Sequence, residues 1–381
     1  MISIIMLYKS TDKSSIFNII EFQVISFFIF FTVYNVHSEN LYPIVQKNRV
    51  GYINREGKII IRPKLETKFK KSYYKYEGKF FPFYDLPINA YFSEGKAVYR
   101  KSWRVLFIKF GYEFGVIDTL NKILIEPQEA EFGQFHNNLS KVKTIRKLFE
   151  FSIEGYSFAD LSGNIKSDQL FTYASDYSDG SAIVLIDNKY NYIDTLGNIM
   201  FDFNFEDVSL FQNGLAAVRI DSLWGIIDKS GKFVIPPKYL QIWNKSNGFY
   251  RIYDGRNYSF INESETNIFK KSFFSANDFS EGYAAVKFSE LEYGFIDTLG
   301  QVAFNLNKCN GVGNFQNGLA RVQIDSKWGY INLKGEFVIK PIYDYAINFT
   351  DGFALVWQGE NVFIINTDGK HIWDYNFRRN K

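Results

Sequence analysis

Residues that commonly do chemistry are scarce in this chain. One cysteine, Cys309, stands among 381 residues, which excludes an intramolecular disulfide and any metal site built on paired thiolates. The three histidines, His37, His136 and His371, lie far apart in sequence. No His-Glu-x-x-His, Gly-x-Ser-x-Gly or Cys-x-x-Cys motif occurs, so the signatures of a zinc hydrolase, a nucleophile elbow and a redox pair are all missing. No apolar run reaches the roughly 20 residues that span a bilayer. The formal net charge is only +3 and favours no partner by itself. These absences predict a non-catalytic protein with no catalytic residue, no metal ligand and no cofactor.

Aromatic residues are abundant. Phe 40 and Tyr 26 bring the aromatic share to 19%. Together with Val and Ile they favour strands, because such side chains pack well on a pleated surface. Charge is unevenly distributed. Residues 40–150 hold 21 Lys/Arg against 11 Asp/Glu, whereas residues 151–381 hold 21 against 27. An asymmetry of this kind hints at an anionic partner. At the start of the chain, Lys9 and Lys13 precede the apolar run "VISFFIFFTVYNV" at 24–36 and the polar "HSEN". That order reads as a signal peptide over 1–38, and hence as an exported protein. A membrane anchor over 16–36 is the alternative, and would then supply the only membrane contact.

The rest of the chain is repetitive. Asn54, Asp118, Asp160, Asp194, Asp228, Asn262, Asp297, Asn332 and Asn366 close similar "I-D" or "I-N" pairs, and from Asp160 onward they recur every 34 or 35 residues. Four residues earlier stands an aromatic or apolar residue, and next to it glycine in five units: Gly51, Gly115, Gly225, Gly294 and Gly329. Proline follows nine residues later at Pro63, Pro127, Pro237 and Pro341. A second landmark, "F-x-(D/N/E)-G", recurs in the same frame, as in "FQNG" at 211–214 and 315–318. Fixed periods of 20–50 residues mark repeat architectures. Within one unit, "LAAVRI", "WGIID" and "KFVIPP" read as three strands. The second and third are joined by an Asp-x-x-Gly turn, whose Asp bonds the turn backbone and whose Gly accepts positive φ.

The pattern W-G-x-I-(D/N)-x-x-G-x-(F/V)-V-I-x-P, carried best by "WGIIDKSGKFVIPP" (224–237) and "WGYINLKGEFVIKP" (328–341), resembles the WG-repeat proteins, also called KWG-repeat proteins. The resemblance covers about 40–376. It implies an exported or surface β-repeat protein and brings no catalytic residues. Ser157, Asn191, Ser259 and Phe363 replace the glycine in four units.

The expected fold is all-β: one array over 39–381 of about nine three-stranded meander units, forming an open β-solenoid or superhelix, with a propeller-like ring as the alternative. Three insertions interrupt it, at about 65–91, 99–112 and 142–156. Insertions at matching points of adjacent repeats fall on one side of such an array. These are basic and aromatic, so Lys70, Lys71, Tyr74, Trp103, Arg104, Arg146 and Lys147 form the candidate binding face. A second candidate is the aromatic row Tyr190, Trp224, Tyr258, Tyr293 and Trp328, read either as a core ladder between units or as a platform for sugar rings. The expected function is an interaction scaffold for a protein or an anionic envelope polymer or glycan, with no nucleic acid. A lectin-like module and a hydrolase using turn carboxylates such as Asp118 and Asp228 are the rival readings.

Overall fold

The computed structural model describes residues 41–46, 49–66, 70–76, 79–85, 92–105, 108–148, 151–167, 169–306, 308–359 and 361–375. Met1–His37 and Ser38–Lys381 separate as two bodies. The first, where a signal peptide or membrane anchor is expected, lies outside the described residues. Among the described residues no helix is long and apolar enough to cross a membrane.

The second body is all-β, and among the described residues its named strands pair with sequence neighbours. The most complete sheets have four antiparallel strands. One runs Asp207–Val208, Leu215–Ile220, Leu223–Asp228 and Phe233–Tyr239, in that spatial order. Three of these are the expected strands. The fourth is a two-residue strand that precedes the F-x-(D/N/E)-G turn, and Ser275–Ala276 and Tyr345–Ala346 are its equivalents in two later sheets. The turn therefore lies inside a sheet and does not link one unit to the next. In it the third and fourth residues both take positive φ, as in Asn213 (51°) and Gly214 (80°). That is the type I′ geometry which matches the twist of flanking strands.

The Asp-x-x-Gly turns close as expected. In all nine units the Asp or Asn Oδ1 accepts the backbone N–H four residues on, at 2.8–3.1 Å. Asparagine makes this bond as well as aspartate, which explains why the two alternate.

The conserved spacing between glycine and the proline strand also has a steric origin. A Cβ on Gly225 would lie 2.6 Å from the carbonyl oxygen of Ile235, and one on Gly329 2.5 Å from that of Ile339. The outer strand bulges over the glycine, with register shifts at both places. Where the glycine is Ser157, Asn191 or Ser259, the outer strand reduces to isolated bridges such as Tyr156↔Phe171, Tyr190↔Phe205 and Tyr258↔Phe273. There the Asn191 side-chain amide donates to the carbonyls of Phe201 (2.8 Å) and Phe203 (3.1 Å). Ser157 Oγ donates to Ser167 O at 2.7 Å.

The core lies between sheets. Among the described residues nine apolar clusters occur, each drawing on two adjacent units. Eight of them join consecutive units. The ninth joins the last to the first: Phe353 and Ile364 pack with Ile44 and Ile53. At this seam Tyr42 donates its hydroxyl to Asp351 O at 2.7 Å, and its ring meets that of Phe353 at 4.2 Å. An open array of nine units would have eight interfaces. Of the two arrangements the sequence left open, these end contacts select the ring.

Candidate interaction face

In an antiparallel meander, successive turns fall at alternate ends. The F-x-(D/N/E)-G and Asp-x-x-Gly turns share one end of the ring. Lys229 of one Asp-x-x-Gly turn accordingly pairs with Asp179 of the neighbouring unit's type I′ turn at 3.1 Å. The turns between the two long central strands share the other end with the links between units. Here Glu206 on a link accepts the N–H of Ser222 at 3.1 Å, and Asp344 accepts that of Gly359 at 2.6 Å.

All three insertions emerge at this second end. In the second unit the central hairpin lengthens to Lys96–Val105 and Ile108–Asp118, and in the third to Leu139–Leu148 and Phe151–Asp160. The corresponding strands of the fifth unit, Leu215–Ile220 and Leu223–Asp228, have 6 residues each. Four or five extra residues per strand add roughly 13–17 Å of reach. In the first unit a separate hairpin, Lys70–Tyr76 with Lys79–Asp85, follows the outer strand Ile59–Leu65 where that strand reaches the same end. Lys70, Lys71 and Tyr74 lie on this hairpin, Trp103 and Arg104 on the second unit's extension, and Arg146 and Lys147 on the third's. Their strands are described, whereas their side chains lie outside the described residues. The topology thus brings the predicted residues to one end of three consecutive units.

Between the first unit and the extended hairpin of the second is a shallow groove of about 140 Å³, lined by Arg49, Lys64, Leu65, Glu66, Tyr99, Arg100, Lys101 and Ser102. Four of the lining residues are cationic and one is acidic. Glu66 is the organiser. Its carboxylate accepts from Arg49 at 2.8 Å and from the Ser102 N–H at 3.0 Å, tying the first unit to the second. Burial pushes its pKa up, but the Ser102 hydrogen bonds and the Arg49 charge outweigh burial and hold the carboxyl below its usual range. Arg100 lies over the Tyr112 ring at 3.7 Å. Arg49, Lys64 and Arg100 were not singled out from the sequence. The available signal was their position, at a strand start, near a strand end and within a strand of the two units that flank the first insertion.

The aromatic row has a different fate. Trp224 and Trp328 are only 8% and 7% exposed, inside inter-unit clusters. Tyr190, Tyr258 and Tyr293 are half-buried against neighbouring clusters. A basic residue of the preceding strand covers several of them: Arg219 lies over Trp224 at 5.7 Å, Lys287 over Tyr293 at 5.0 Å and Arg321 over Trp328 at 4.7 Å. At Trp224 and Trp328 the row is part of the inter-unit core and offers no open platform there, whereas its three tyrosines keep part of their surface exposed. Among the described residues no group of three or more His, Cys, Asp or Glu could hold a metal ion.

A closed ring of antiparallel sheets around which the chain winds once defines a propeller-like β-repeat protein. The WG containing repeat family matches this chain at 51–67, 114–144, 156–190, 192–224, 224–257, 258–290, 293–328 and 328–361, and the chain belongs to that family. No curated protein matches it. Among solved structures it is similar to BamB from Moraxella catarrhalis, with 14% identity, a TM-score of 0.37, and 63% of this chain and 89% of that chain covered. Kluyveromyces lactis Hsv2 is similar at 10% identity and a TM-score of 0.34, covering 53% and 73%. The WD40 β-propeller domain of Doa1 is similar at 9% identity and 0.29, covering 60% and 89%.

Proposed function

We propose that this protein is an exported, non-catalytic scaffold that uses the hairpin-bearing end of its ring to hold an anionic partner, either an acidic protein or an envelope polymer. The observation that carries this reading is the emergence of three basic, aromatic-rich insertions at one end of three consecutive units, with Arg49, Lys64, Arg100 and Lys101 around the groove between the first two of those units. Long-range attraction would bring the partner in, and the aromatics would supply the apolar contact that charge lacks; Tyr, Trp and Arg dominate interaction hot spots. Export rests on the apolar segment at 24–36.

The test replaces Lys70, Lys71, Arg104, Arg146 and Lys147 with Gln and measures retention on immobilised dextran sulfate and on an acidic protein. Retention of the native chain should fall steeply as salt rises from about 0.1 M, where the Debye length is ~10 Å. The variant, with its circular dichroism unchanged, should be retained weakly at every salt concentration. Equal retention of the two proteins would refute the assignment.

A further inference from the structure

The end of the ring opposite the basic hairpins carries apolar side chains that the described residues leave uncovered. Its Asp-x-x-Gly-type turns hold Leu120, Leu196 and Leu299 at their third position, 82%, 75% and 74% exposed. Ile60, Val302 and Phe337, at the start of the outer strands that leave such turns, are 43%, 46% and 46% exposed. Several of these turns rest on the outer strand of the preceding unit, so that turn tips and strand starts share one rim. A Cβ on Gly335 would meet the Phe304 ring at 3.1 Å, and one on Gly57 would meet the Ile372 side chain at 3.0 Å across the closure. The backbone of the leucine tips is already satisfied. Asp118, Asp194 and Asp297 accept the leucine's own N–H at 2.9 Å and the N–H two residues further on at 2.8 Å. A tip can therefore leave bulk water without stranding those donors, which an apolar medium would penalise.

The chain also enters the ring at this end. Leu41 is buried, Tyr42 pairs with Ile53 beside the Asn54 turn, and the Tyr42 hydroxyl meets Asp351 in a type I′ turn. Only the four residues "HSEN" separate Leu41 from the apolar run at 24–36. Fully extended, that link reaches at most about 18 Å. We infer that this end of the ring is a membrane-docking face, whose leucine tips enter the headgroup boundary of a phospholipid bilayer that holds the apolar segment. Exposed apolar patches mark protein or membrane contacts, and the short link decides between them, because it brings this end to the bilayer and not the hairpin end. Single leucines on protruding turns suit the shallow insertion of about 5–10 Å that surface-bound apolar faces make. The contact is apolar, so it persists at salt concentrations that screen the basic end. It goes beyond the scaffold reading and directs the hairpins away from the bilayer.

The experiment uses the full chain with Cys309→Ala, bound to phosphatidylcholine vesicles at high salt. An environment-sensitive fluorophore is placed on a single cysteine, introduced by Leu196→Cys or, at the hairpin end, by Leu291→Cys, where the native leucine is 87% exposed. Emission from position 196 should shift to the blue. Lipids with a nitroxide at the headgroup boundary should quench it several-fold more strongly than emission from position 291. Leu120→Gln combined with Leu299→Gln should reduce that quenching while the apolar segment keeps the chain on the vesicles. Retention on dextran sulfate reads the other end of the ring, so either assignment can fail alone. Failure of the chain to bind the vesicles, water-like emission at both positions, equal quenching of the two, or quenching unchanged by the paired glutamines would overturn the proposal. So would a blue shift at position 196 that appears without lipid, as a second copy of the chain would cause.

Discussion

The recurring Asp or Asn of each unit closes a turn. The Asp228 carboxylate accepts from the N–H groups of Ser230 (2.8 Å) and Lys232 (3.1 Å), and from the Ser230 hydroxyl. These bonds, the hydroxyl's above all, hold its pKa below the usual carboxylate range. Asp228→Asn should be nearly silent in urea unfolding, since Asn332 makes the same backbone bonds at 2.9 and 3.0 Å. Asp228→Ala should cost about 1–2 kcal/mol. A turnover lost in Asp228→Asn at full stability would instead favour the hydrolase reading. Cys309 shows the same dependence on surroundings. Burial pushes its thiol up to about 11, against the hydrogen bonds of Gly311 and Gln323. Its labelling by a thiol reagent at pH 8 should therefore be slow in the native protein and accelerate only with denaturant.

In the sheet, the outer strand and the glycine beneath it form a matched pair. Gly329→Ala would drive a Cβ to 2.5 Å from Ile339 O and 2.6 Å from Pro341 N, both backbone atoms. A loss of about 1–3 kcal/mol in denaturant unfolding is expected, the usual range for overpacking. Asn191 achieves the opposite geometry, because its side chain fills the gap beneath a displaced strand and satisfies two carbonyls. It is 1% exposed, so Asn191→Ala leaves acceptors buried without partners and should cost about 1–3 kcal/mol. The glycine pattern and its exceptions were both legible in the sequence. The reason for the exceptions was not, since it depends on where the outer strand runs.

For the ring as a whole, closure has a direct test. Tyr42 and Phe353 are 311 positions apart in sequence, yet their rings meet at 4.2 Å. With Cys309 replaced by Ala, the pair Tyr42→Cys and Phe353→Cys should oxidise to an intramolecular bond that keeps the two ends joined after proteolysis. Failure to cross-link in a folded protein would argue for an open array. In a ring, moreover, each unit has two neighbours and stability is shared around the circuit, whereas a solenoid leaves its terminal units with one.

The number of units, their β character and their turns could all be read from the chain, because each depends on local chemistry repeated at a fixed period. "WGIID" and "KFVIPP" are strands in any arrangement, and Asp-x-x-Gly is a turn wherever it stands. The short strand before most of the F-x-(D/N/E)-G turns, two residues long in several sheets, escaped notice because so short a segment has no periodicity. It also explains why 34 residues suffice for a four-stranded sheet. Whether the array closes, whether Trp224 and Trp328 face solvent, and which lysines and arginines share a groove were decided only by the tertiary structure. Closure depends on the small rotation between neighbouring sheets accumulated over nine interfaces, and no single repeat encodes that sum.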